Sequence, residues 1–76
     1  MMRYGKKDYV LIASQQYVKR DFFGELFLSV NPELMCSFET EEDAYIARNK
    51  SKNEIIRNFA RVYERNTLIT YEACDQ

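Results

Sequence analysis

Hydrophobic positions along this chain fall into short runs whose period changes from one run to the next. From Asp8 to Ala13 the run Asp-Tyr-Val-Leu-Ile-Ala is rich in β-branched and aromatic residues and too short for a stable helix, which predicts a largely buried strand. Polar Ser14-Gln15-Gln16 follows, and Tyr17-Val18-Lys19 is strand-like again. That pattern permits one long strand or a hairpin with its tip at the glutamines, and the hairpin is the preferred reading. Arg20-Asp21-Phe22-Phe23-Gly24 reads as a turn, because Gly24 accepts a positive φ and the Asp21 carboxylate can hydrogen-bond its own backbone. Leu26, Leu28 and Val30 then alternate as a strand with one buried face. Asn31-Pro32 stops it, and Pro32 to Met35 is expected to make a single helical turn.

Thr40-Glu41-Glu42-Asp43 has the form of a capping box, with three acids placed to meet the positive end of a helix. On a wheel of 100° per residue started at Ile55, the residues Ile56, Phe59, Ala60, Val62 and Tyr63 share one side. Carried backward, the same wheel puts Arg48, Ser51 and Lys52 on that apolar side, so the two segments are out of phase. A break near Asn49 to Lys52 resolves the conflict, and Ser51-Lys52-Asn53-Glu54 offers a second capping box for a helix running to Arg65. Thr67 to Ala73 predicts a final strand.

The resulting expectation is an α+β fold: a small antiparallel sheet of three to four strands covered on one face by two helices, in the order β-β-β-α-α-β. At 76 residues the chain is expected to form a single domain, 1–76, because a second core could not close at this size.

Composition adds two features. Six Tyr and five Phe are more rings than so small a core easily hides, so some are expected at the surface, where amphipathic tyrosines suit an interface. Charge is unevenly spread although the net is −1 at pH 7: five basic and one acidic group in residues 1–20, seven acids and no base in 21–43, six basic and two acidic in 44–66, and two acids after that. A protein holding nucleic acid by unspecific electrostatics would be basic overall.

Two cysteines far apart, no histidine, and no stretch near Met1 resembling a signal peptide give the expectation of a reduced, cytoplasmic protein. The run Tyr9 to Ala13 is far short of the roughly 20 apolar residues of a membrane helix, so no membrane partner is expected.

The same inventory argues against chemistry. Neither Cys36 nor Cys74 has an imidazole to activate it, two sulfurs do not make a zinc site, and Gly5 and Gly24 do not make a phosphate loop. No enzyme activity and no cofactor are expected. Glu39, Glu41, Glu42 and Asp43 answer a helix dipole better than they make an acid/base pair.

The segment Glu25-Leu26-Phe27-Leu28 to Pro32, then Met35, Phe38 and Thr40-Glu41-Glu42-Asp43-Ala44, is similar in layout to short accessory proteins of bacteriophages and prophages, over about the half of the chain from Tyr9 to Ala44. The resemblance transfers no catalytic residue. It implies a role in which a small protein modifies or blocks host machinery by binding it.

Two surfaces are candidates. Tyr17, Asp21, Phe22, Phe23, Glu39, Glu41, Glu42 and Asp43 form an acidic and aromatic set suited to a basic host protein, for example a defence nuclease or another nucleic-acid-handling protein. Arg57, Arg61 and Arg65, read as a stripe on a helix, would instead make a nucleic-acid-binding module that tracks phosphates, or grip an acidic partner. A third reading is a homodimer or accessory subunit in which positive and negative blocks meet.

Overall fold

Twelve consecutive residues, Met2–Ala13, make the strand on which everything else is assembled (β1). In the computed structural model, which describes residues 2–74, β1 is followed by β2 (Gln16–Arg20), β3 (Leu26–Ser29), β4 (Ser37–Phe38), helices α1 (Glu41–Lys50) and α2 (Glu54–Phe59), and β5 (Ala60–Tyr71). The α+β class and the order of elements agree with the sequence, with β4 as one strand more than expected. Asp75, counted above in the charge of the tail, lies outside the described residues.

All pairings are antiparallel. β5 runs along one edge of β1 for its whole length, from Met2↔Tyr71 to Ala13↔Ala60. The other edge of β1 takes β2 near Ile12 and β4 near Val10, and β3 pairs with β2. The β1–β2 connection is the two residues Ser14 and Gln15, and Ser14 has a φ of 58°, placing the positive angle where a type II′ hairpin turn has it.

Register decides the faces, since opposite residues in an antiparallel pair share a side. Leu11, Ala13, Val18 and Ala60 point the same way and cluster with Ala44 of α1 and Ile56 of α2, so both helices lie on that side. Tyr9, Leu26, Leu28, Phe38 and Val62 pack around the cluster. Leu11, Ile56 and Val18 are the largest fully buried side chains, each contributing about 1.5 to 3 kcal/mol by leaving water.

Three local expectations need correction. The second helix ends at Phe59 and the chain turns directly into β5, so residues 60–65 are strand where the wheel put helix. Ala60 and Val62 satisfy a period of two as well as one of 3.6, and cross-strand pairing with β1 settles the ambiguity. The break between the helices falls where predicted, but its N-cap is Asn53, whose Oδ1 accepts from the Ile55 and Ile56 amides at 2.9 and 3.3 Å. Ser51 is instead the C-cap of α1.

The third correction concerns Pro32 to Met35, which is a tight turn rather than a helical one. Asn31 Oδ1 accepts from Glu33 N at 2.9 Å, and Leu34 has a φ of 59°. The turn returns the chain to the sheet, where Cys36 N donates to Val18 O at 3.1 Å. No helix among the described residues is long and apolar enough to cross a membrane.

Candidate functional site

The β2–β3 connection is built around one carboxylate. Asp21 Oδ1 accepts from the amides of Phe23 and Glu25, both at 2.9 Å; Asp21 N donates to Glu25 O at 2.9 Å, and Gly24 N to Asp21 O at 3.1 Å. Gly24 has a φ of 82°, the conformation for which glycine carries no steric penalty. The turn is thus fixed by four hydrogen bonds, yet Phe22 and Phe23 at its tip are 105% and 90% exposed.

Phe22 does not stand alone. It lines a shallow recess with Arg20, Asp21 and Phe27, and Phe27 is itself exposed. Phe27 is the aromatic residue that the sequence reading missed. Its signal was present: Leu26 and Leu28 alternate onto the core face, so Phe27 must point the other way, beside Lys19.

The remaining acidic candidates are placed by a different element. Glu39 follows β4, and Glu41, Glu42 and Asp43 occupy the exposed first turn of α1, where the Thr40 hydroxyl accepts from Asp43 N at 3.1 Å. The base of the turn and the strand leading to these acids are linked through Arg20, whose guanidinium carbon lies 5.6 Å from the centroid of the Phe38 ring. Glu25, at the far side of the turn, pairs with Lys52 at 3.4 Å. Tyr17 is half-buried in β2 on the sheet face away from the helices, separate from the turn.

The arginine stripe on a helix does not exist. Arg57 is in α2, donating to Ser51 O at 2.8 Å and lying 3.9 Å from Glu54. Arg61 and Arg65 are in β5, on one face because a spacing of four is even. Arg65 makes a two-pronged ion pair with Asp8, at 2.9 and 2.7 Å. That hydrogen-bonded guanidinium holds the Asp8 carboxyl below the usual carboxylate range, against the opposing effect of burial, and the carboxylate in turn raises Arg65. Arg61 is left beside Tyr63, Phe59, Ile55, Ile12 and Ser14 in an open groove where α2 joins β5.

Of the two cysteines, Cys36 is buried, and loss of hydration pushes its thiol up, partly offset by Arg20; Cys74 is exposed. The geometry therefore describes a small α+β fold that presents aromatic side chains on a pinned turn, with Arg20, Lys50 and Lys52 near its base and the acids of the first turn of α1 at the other end of that helix. Comparison with family models, curated proteins and solved structures found no match to the chain.

Proposed function

We propose that this chain is a non-catalytic binding protein, an adaptor or inhibitor that docks on another protein through the Phe22–Phe23 turn. The observation that carries the reading is the combination of rigidity and exposure. A turn held by Asp21 through four hydrogen bonds keeps two adjacent phenylalanines almost wholly in water. Burying a Phe side chain is worth about 1.5 to 3 kcal/mol, which the isolated fold forgoes twice. A turn already ordered loses little further entropy on binding, which favours its use as an anchor.

The partner surface that complements it has an apolar pocket ringed by Lys or Arg. The stretch from Asp21 to Asp43 carries seven acids and no base, three of them exposed in the first turn of α1. The sequence resemblance in layout to small phage accessory proteins would imply the same class of role. Phosphate binding by the arginines is less favoured, because Arg57 and Arg65 already have partners within the chain.

The test is affinity capture from a lysate of the natural source with three proteins: wild type, Phe22→Ala/Phe23→Ala, and Glu41→Lys/Glu42→Lys/Asp43→Lys. All five positions are exposed; because the three lysines also oppose the α1 dipole, a circular-dichroism spectrum matching wild type is required of each variant before capture is compared. The expected result is one captured protein with a basic surface, whose affinity falls by about 2 kcal/mol or more in the phenylalanine variant and also falls on acid reversal. Equal capture by all three would discard the proposal.

A further inference from the structure

The long β1–β5 pairing continues past the core as a two-stranded ribbon, Met2 to Lys7 against Asn66 to Tyr71. Among these residues only Ile69 is less than exposed. The ribbon has two free edges, and they differ. The β1 edge carries Arg3, Lys6 and Lys7, the kind of charge that blocks strand addition, whereas Asn66-Thr67-Leu68-Ile69-Thr70-Tyr71 carries no charge and no proline. Among the described residues β5 pairs only with β1, so no other strand occupies its outer edge.

We propose that two copies of the chain join through this edge, β5 against β5, into one continuous sheet. A second copy is the occupant favoured because the edge can pair with itself over nearly its whole length without opposing like charges. Antiparallel pairing of identical edges is related by a two-fold axis normal to the sheet, which keeps the helix layers of both copies on the same side. Each residue must then face one of its own side, and the residue at the axis faces itself.

Centring the axis on Arg65 or Glu64 sets like charges opposite each other, and centring it on Tyr63 sets Arg61 against Arg65; such pairs are destabilising. Centring it on Asn66 aligns Arg61 to Tyr71 with no like charges opposed, a longer pairing than the one from Tyr63 to Tyr71 that an axis on Thr67 allows. Arg61 then meets Tyr71, Tyr63 meets Ile69, Arg65 meets Thr67, and Glu64 meets Leu68. Leu68 is informative within one copy too. Its cross-strand neighbour is Gly5, so it is exposed with no side chain opposite.

The register makes the test specific. Sedimentation of the full chain from about 10 µM to about 1 mM is expected to show a monomer–dimer equilibrium. Leu68→Glu places a carboxylate opposite Glu64 twice per dimer and is expected to weaken association about tenfold, whereas Leu68→Lys preserves or tightens it. The double variant Glu64→Lys/Leu68→Glu restores it. Leu68 is exposed, so these changes spare the core.

In a Cys74→Ser background, Asn66→Cys is expected to form an intersubunit disulfide faster than Arg65→Cys or Thr67→Cys, whose self-distances across the axis are diagonal ones. A monomer throughout the range overturns the proposal and leaves the edge to a strand from another protein. So does a dimer indifferent to the sign of charge at position 68. The Phe22–Phe23 turn takes no part in any of these measurements, so their outcome leaves the proposed function where it stands.

Discussion

Asp8 is one of two buried polar or charged residues among the described residues, and its placement is what makes the ion pair with Arg65 consequential. The carboxylate is almost enclosed on the sheet, while the arginine side chain is 39% exposed, so solvent weakens the attraction but does not remove the two hydrogen bonds. Because the folded-state pKa of Asp8 lies below its unfolded value, the pair contributes fully above the unfolded value of about 3.9. Its contribution is lost as pH falls from there through the lowered folded value. Asp8→Asn is expected to cost roughly 1 to 2 kcal/mol near neutral pH. The gap between wild type and variant should close as pH falls from the unfolded value of about 3.9 through the lowered folded value, read in urea-unfolding midpoints. A gap that persists unchanged in acid would show that Asp8 acts through something other than its charge.

At the scale of elements, the junction between the helices depends on side chains of small polar residues rather than on apolar packing. Ser51 ends α1 by donating its amide to Arg48 O at 3.2 Å, and its hydroxyl accepts from Asn53 N at 3.1 Å; Asn53 then caps α2. Only six residues long, α2 makes a marginal helix by itself, so its cap and the burial of Ile56 hold it in place. Asn53→Ala is expected to lower stability by about 1 kcal/mol, read from the denaturation midpoint, while Lys52→Ala at the neighbouring exposed position changes it little. Equal effects at the two positions would mean that the cap is not what defines the break.

For the whole molecule, the dominant fact is shape. The longest extent is 53 Å against 23 and 22 Å for the others, and the projecting ribbon accounts for the asymmetry. A two-stranded ribbon with both faces wet is marginal in water, so its amides should exchange with solvent fastest among the strands when the protein is dilute. Raising the concentration is expected to protect Asn66 to Tyr71 and to leave the outer amides of Met2 to Lys7 unprotected. Protection of both edges alike, measured by hydrogen exchange, would point to contact through a face of the ribbon instead of the β5 edge.

Local chemistry was legible from the residues alone. The Asp21–Gly24 turn, the Thr40 cap, the interruption before Glu54 and the exposed phenylalanines all follow from side chains acting within a few residues of themselves, where sequence distance and spatial distance coincide. What depended on partners far along the chain was not. Residues 60–65 carry a pattern that fits helix and strand equally, and pairing with β1, more than forty residues away, chose strand. That choice dissolved the arginine stripe, gave Arg65 to Asp8, and extended β1 back to Met2 through residues with little strand character of their own. The sequence by itself determined the α+β class, the turn and its aromatic tip. Only the tertiary structure decided which strand would be left with an open edge, because an edge is defined by the neighbour it lacks.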